Sequence, residues 1–145
     1  MFRVSREIDF CYGHRLLNYQ GKCRHLHGHN GRVRITFESA ALDPRGMVLD
    51  FSEIKRLLSR WIDEQLDHRM VLHRDDPAVP LFEQLGEPVH LMDVNPTAEN
   101  IARLIFQYAA AQGFPVVEVQ LWETPNCCAT YCPTAAAERP GSSVS

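Results

Sequence analysis

The chain has 145 residues, 45% of them apolar and 23% charged, with a formal net charge of −3. These values suit one globular domain with its own core, and the mildly acidic balance argues against electrostatic binding of nucleic acid. No apolar run nears the roughly 20 residues that cross a bilayer and the N-terminus has no signal-peptide core, so the expectation is a cytoplasmic protein with no membrane partner.

Residues 2–14 alternate. Phe2, Val4, Ile8, Phe10 and Tyr12 share one parity, with Arg6 the exception, which predicts a half-buried strand. His14 has the same parity, so its ring faces the core side, while Cys11 points outward. Residues 15–22 read as a loop. A second strand begins at His27. His27, His29, Gly31, Val33, Ile35 and Phe37 share one face, and Arg32, Arg34 and Glu38 take the other. The stretch from Lys22 to Asn30 holds three of the seven histidines and the thiol of Cys23. In a strand His27 and His29 point the same way, roughly 6–7 Å apart along the chain. Two neutral rings on an apolar face, with a third at the end of the first strand, are hard to satisfy without a shared partner. A metal ion supplies one.

Asp43-Pro44-Arg45-Gly46 is a turn. Asp50-Phe51-Ser52-Glu53 resembles a capping box. The apolar residues Ile54, Leu57, Leu58, Trp61, Ile62 and Leu66 then recur at helical spacing. That helix runs to Gln65 or Leu66, with Asp67-His68 at its end, where a charged pair is a plain structural reading. Residues 69–95 are irregular, with a helical turn or two at Leu81–Leu85 and a short strand over Val89–Met92. A second long helix follows Pro96, capped by Asn95 or Thr97 and stopped by Gly113 and Pro115.

A third main strand covers Val116–Thr124, with Val117, Val119, Leu121 and Glu123 on one parity. A carboxylate extending an apolar face is costly to bury unpaired. Either the strand end is solvated there, or Glu123 receives donors from a ligand. Pro125-Asn126 is a turn and Ala129–Cys132 a short last strand. The five cysteines are odd in number and include no C-x-x-C pair, so no disulfide framework is expected. Cys127, Cys128 and Cys132 read as reduced thiols. Residues 1–133 then form a single domain and 134–145 a mobile tail. The element order, strand, strand, helix, helix, strand, strand, predicts an α+β domain: a four-stranded antiparallel sheet with two helices on one face.

Six pieces of sequence, in order over residues 10–124, carry a resemblance. They are Phe10-Cys11-Tyr12-Gly13-His14, Cys23-x-x-x-His27-Gly28-His29-Asn30, Gly46-Met47-Val48-Leu49-Asp50-Phe51, Leu66-Asp67-His68, Pro96-Thr97-Ala98-Glu99-Asn100 and Val119-x-x-x-Glu123-Thr124. Together they resemble the 6-pyruvoyltetrahydropterin synthase and 6-carboxytetrahydropterin synthase family. The short gap between Cys23 and His27 looks more like its bacterial 6-carboxy members. The resemblance implies a tunnelling fold and a homohexamer built as a dimer of trimers, with active sites at subunit interfaces. It implies Zn²⁺ held by His14, His27 and His29, a proton-transfer set of Cys23, Asp67 and His68, and pterin binding by Glu123 with Thr97 and Glu99.

The implied activity is zinc-dependent conversion of 7,8-dihydroneopterin triphosphate to 6-carboxy-5,6,7,8-tetrahydropterin, with loss of acetaldehyde and triphosphate, on the route to queuosine. The alternatives are 6-pyruvoyltetrahydropterin synthase activity, an aldolase acting on a related dihydropterin, or a pterin- and zinc-binding module without turnover. Three departures bear on substrate and product. Gly31 stands where the family often has an aromatic residue. Arg69-Met70-Val71-Leu72-His73 follows the Asp-His pair in place of Leu-Asn, and the 69–95 segment is longer than in compact members.

The residue types suit this chemistry. Three imidazoles leave a zinc ion open positions and its full charge. A thiol near that charge is biased toward thiolate and can act as a base. His68 can exchange protons, with Asp67 orienting it. A carboxylate such as Glu123 can accept two N–H donors from an aminopyrimidine ring. Lys22, Arg24 and Arg32 either attract a triphosphate or form a solvated surface. His25 reads as exposed or behind the metal ligands, and His73 and His90 have no assigned role.

Overall fold

The computed structural model describes residues 1–133. The tail expected at 134–145 lies outside the described residues.

Strands β1 (Phe2–His14) and β2 (His27–Ser39) form the centre of the sheet. They pair antiparallel along their whole length, from Phe2 opposite Ser39 to His14 opposite His27. The alternation read from the sequence is the reason: Phe10, Tyr12, Val33, Ile35 and Phe37 are all buried on one face. The other face carries cross-strand ion pairs, with Arg32 Nε 2.9 Å from Asp9 and Arg34 Nη2 2.6 Å from Glu7.

The helical run after Asp50 comprises α1 (Phe51–Ile54), a π-helical stretch (Lys55–Ser59) and α2 (Arg60–Gln65). Asp50 caps it, its carboxylate accepting from the Ser52 N–H at 2.9 Å. Ile54, Leu58, Ile62 and Leu66 are each at most 1% exposed. A repeat of four drifts around an ideal helix of 3.6 residues per turn. The wider π turn absorbs part of that drift and keeps the four side chains on the core face. Burying each such side chain contributes about 1.5–3 kcal/mol. Helix α4 (Ala98–Ala111) packs beside it, with Ile101, Ile105 and Ala109 inward and Trp61 stacked on Tyr108.

The sheet is larger than the sequence reading. It has six strands in the order β4-β3-β1-β2-β5-β6, with β5 (Val116–Thr124) and β6 (Cys127–Tyr131) on one side. On the other side lie β3 (Arg69–His73) and β4 (Val89–Met92), both paired in parallel. The sheet is therefore mixed and not a four-stranded antiparallel one, although the domain is α+β as expected. Strand β3 carries no alternating signal because both its faces are covered. Val71 joins the main core, while Leu72 joins a second small core with Ala78 and Val79. A short buried parallel strand reads as an apolar run.

Helix α3 (Val79–Leu85) accompanies that second core, with Phe82 packed against it. The buried Asp76 anchors the segment to the end of β1. It accepts from Arg15 Nε at 2.7 Å, is paired also with Arg15 Nη2, and caps the Ala78 N–H at 2.8 Å. In β5 the register slips between Thr36 and Phe37 of its partner strand, so Val116 is fully buried and Val117 only half-buried. Strand β6 starts two residues earlier than expected.

Candidate metal centre

The β1–β2 register makes the centre. His14 lies opposite His27, and Tyr12 opposite His29, so three rings of one parity gather at the end of the hairpin. Their ligand nitrogens all lie within 4.8 Å of one another. Ring centroids are 4.5 Å apart for His14 and His27, and 5.0 Å for His14 and His29.

Two backbone carbonyls fix the rings. His14 Nδ1–H donates to the Pro96 carbonyl and His27 Nδ1–H to that of His25, both at 2.7 Å. A ring that donates from Nδ1 presents a lone pair at Nε2. Burial pushes the His14 pKa below its usual value, outweighing the Pro96 bond and the nearby Glu123 charge, which favours the neutral ligand form. Nε2 of His27 is buried and has no hydrogen-bond partner among the described residues. A buried polar atom without a partner is costly. A metal ion between the three nitrogens removes that cost, and the donor set fits one.

Glu123 borders the centre. Its Oε1 lies 3.7 Å from His14 Nε2 and 3.4 Å from the Tyr12 hydroxyl, and its Oε2 lies 3.9 Å from His29 Nε2. The β5–β6 register shifts between Trp122 and Thr124, a bulge that re-aims the intervening side chain. The Glu123 side chain is 26% exposed and is turned toward the histidine rings and the Tyr12 hydroxyl. The Tyr12 pKa is raised, chiefly by burial and then by the Glu123 charge.

Cys23 sits in a single turn of 3₁₀ helix, Lys22–Arg24. It is half-buried and lines a cavity of about 190 Å³ with His14, Thr97, Glu99 and Glu123. The Thr97 hydroxyl accepts the Asn100 N–H at 3.1 Å and so caps α4. That helix start therefore presents Thr97 and Glu99 to the cavity while Pro96 holds His14.

Asp67 and His68 are placed elsewhere. Asp67 Oδ1 accepts the Cys11 N–H at 2.8 Å, and its Oδ2 faces His68 Nδ1 at 2.8 Å. The His68 backbone lies in the left-handed region at φ 57° and donates to the Cys11 carbonyl at 2.6 Å, a conformation uncommon outside glycine. The His68 side chain is 78% exposed. It borders a groove of about 710 Å³ that His27, Gly28, His29, Asn30, Met70 and Phe82 also line, apart from the Cys23 cavity. Gly28 and Asn30 have the parity opposite to the metal-site histidines, so this groove reaches the other face of the sheet.

Arg32 is held by Asp9 on that face, whereas Lys22 and Arg24 are exposed beside Cys23. The exposed His25 contributes its carbonyl to the centre, and its ring nitrogen accepts from Arg24. That carbonyl, the Pro96 carbonyl and the Tyr12 hydroxyl were missed by sequence reasoning. Backbone groups leave no residue signature, and Tyr12 counted only as an apolar position.

A family model described as 6-pyruvoyl tetrahydropterin synthase matches residues 3–134. The chain belongs to this family. A 6-carboxy-5,6,7,8-tetrahydropterin synthase of Rickettsia conorii is 40% identical over 134 residues, 88% of this chain and 97% of the relative. One of Haemophilus influenzae is 30% identical, covering 90% of this chain and 99% of the relative. Among solved structures, an uncharacterized protein of Wolinella succinogenes superposes with a TM-score of 0.76 at 31% identity, covering 90% of this chain and 97% of its own. The 6-pyruvoyl tetrahydropterin synthase of Caenorhabditis elegans gives 0.68 at 25%, covering 92% and 96%. As a member of the tetrahydropterin synthase family, the chain is an enzyme. No helix among the described residues is long and apolar enough to cross a membrane.

Proposed function

We propose that this chain is a zinc-dependent lyase that converts 7,8-dihydroneopterin triphosphate to 6-carboxy-5,6,7,8-tetrahydropterin, releasing acetaldehyde and triphosphate in the cytoplasm as a step toward queuosine. The observation that carries the reading is the meeting of three imidazoles, one of them with an unpartnered buried nitrogen, of which His14 shares a cavity with the Cys23 thiol and the Glu123 carboxylate. Zinc held by His14, His27 and His29 supplies Lewis acidity that makes C–H bonds beside a substrate hydroxyl easier to deprotonate. Cys23 takes the proton, and its cavity limits access of water to the reacting carbons. Glu123 accepts N–H donors of the pterin ring and sets the side chain in reach of Cys23. Thr97 and Glu99 line the ring's approach, and exposed Lys22 and Arg24 face the polyphosphate end.

Asp67-His68 belongs to the proton-transfer set but opens on the opposite face of the sheet. A second copy of the chain that docks there would bring this pair to a neighbouring subunit's Cys23, which supports a homo-oligomer, read as a hexamer built from two trimers. The test is a product assay with the substrate named above and acetaldehyde trapping. Stoichiometric acetaldehyde and the 6-carboxy product uphold the reading. Accumulation of 6-pyruvoyltetrahydropterin without acetaldehyde moves the chain to the sister activity. No consumption with zinc bound points to a different dihydropterin or to a binding role.

A further inference from the structure

Tyr12 packs against the rings of the metal centre and reaches Glu123. It is 3% exposed. Its parity places it on the face of His14, and the register places it opposite His29. Its ring centroid lies 5.2 Å from that of His14 and 5.7 Å from that of His29. On its other side it stacks on Phe10 at 5.3 Å. Three rings therefore hold it, and its hydroxyl is delivered to one place, 3.4 Å from Glu123 Oε1.

Room for this ring comes from β2. A Cβ built at Gly31 would lie 3.0 Å from Tyr12 Cε1 and 3.3 Å from the Phe10 carbonyl oxygen. Because the tyrosine is wedged against Phe10 and two histidines, it cannot yield cheaply to that carbon. Gly31 and Tyr12 are thus a matched pair, one strand giving up its side chain so that the next can carry an aromatic ring with a polar tip. A buried phenol needs a partner, and a carboxylate on an apolar face needs a donor before any ligand arrives. Tyr12 and Glu123 meet both needs at once.

We propose that Tyr12 is the positioning residue for Glu123: its phenol donates to Oε1 and holds the carboxylate in the orientation that receives the pterin ring, and Gly31 makes this placement possible. Each carboxylate oxygen accepts more than one hydrogen bond. Oε1 can therefore take Tyr12 and one ring N–H together, leaving Oε2 for a second. Tyr12 touches neither substrate nor metal in this role. The inference rests on the reading of Glu123 as the pterin anchor.

Tyr12→Phe keeps the ring and removes the hydroxyl. Its zinc content is expected to match that of the unaltered protein, while the Kd for neopterin rises about tenfold, or 1.4 kcal/mol. With dihydroneopterin triphosphate, KM rises and kcat changes by less than about threefold, a split that a merely structural role would not produce. In the Glu123→Ala background, which removes the acceptor, Tyr12→Phe should add nothing. Gly31→Ala should weaken neopterin binding in the unaltered protein and have a smaller effect in the Tyr12→Ala background, where only the Phe10 carbonyl still crowds the added carbon. Unchanged neopterin affinity in Tyr12→Phe, or full additivity with Glu123→Ala, overturns the proposal. A readout independent of pterin separates it from the functional reading. Crystal structures of the unaltered and Tyr12→Phe proteins should show the Glu123 carboxylate displaced in the variant. An unmoved carboxylate defeats the positioning role even if neopterin binds. A displaced carboxylate in a protein that binds no pterin defeats the pterin reading alone.

Discussion

The Nε2 atoms of His14 and His29 stand 3.1 Å apart. His14 already donates from Nδ1 to Pro96, so its Nε2 offers a lone pair. His27, held in the same way by the His25 carbonyl, offers another that nothing in the described protein accepts. Imidazole nitrogens gathered in this way suit a bound cation. About one zinc per chain is expected on purification. His27→Ala or His29→Ala should weaken zinc binding by more than about 100-fold, beyond what loss of an outer partner costs. Metal analysis after dialysis against a chelator checks this, and unaltered zinc content in both variants would show the site to be misassigned.

Cys23 shares a cavity with His14 and Glu123 but is not among the grouped ligand atoms. Cys23→Ala should therefore keep its zinc and its fold while losing about 100-fold or more in turnover, the usual contribution of a positioned base. If this variant loses zinc along with activity, the thiol is a ligand and the assigned role fails.

Much of this site was legible because strand periodicity is strict. The parities of Tyr12, His14, His27 and His29 follow from alternation, and a one-residue error would have thrown every ring to the other face. The cap at Asp50, the helix after Thr97 and the strand through Glu123 follow from equally local chemistry. What escaped is non-local. Strand β3 is defined by parallel pairing to β1 and by cover on both faces, and neither is written in residues 69–73. The burial of Val116 in place of Val117 comes from a slip against Thr36 and Phe37. The separation of Asp67-His68 from Cys23 is a property of faces in an assembled sheet, invisible to motif order.

The Arg15–Asp76 pair ties the irregular 69–95 segment to the residue next to His14. The Arg15 hydrogen bonds hold the Asp76 carboxyl below the usual carboxylate range. A depressed folded-state pKa stabilises the fold in full above the unfolded value, about pH 4. That contribution is lost as pH falls through the folded value. Asp76→Asn should cost about 1–3 kcal/mol at pH 7, less than a fully buried pair because Arg15 is partly exposed. Urea unfolding at fixed protein concentration should show the gap to the unaltered protein narrowing at pH 3. A gap that stays constant with pH would mean that the carboxylate charge is not what stabilises the segment.

The last expectation concerns Asp67 and His68. Within one chain His68 borders a groove that reaches the far face of the sheet, whereas Cys23 lines a cavity with His14 and Glu123. In the proposed mechanism the Asp67-His68 pair acts with Cys23, and docking of a second copy of the chain would bring the two together. Cys23→Ala and His68→Ala proteins should each be nearly inactive and each retain zinc. Mixed, unfolded and refolded together, they form oligomers in which some sites combine an intact Cys23 from one subunit with an intact His68 from another. For random mixing of equal amounts, roughly a quarter of such sites are intact, so activity should recover to that order. Activity that stays at the level of the separate variants, with hetero-oligomers shown to be present, would mean that Cys23 and His68 act within one chain or that His68 takes no part.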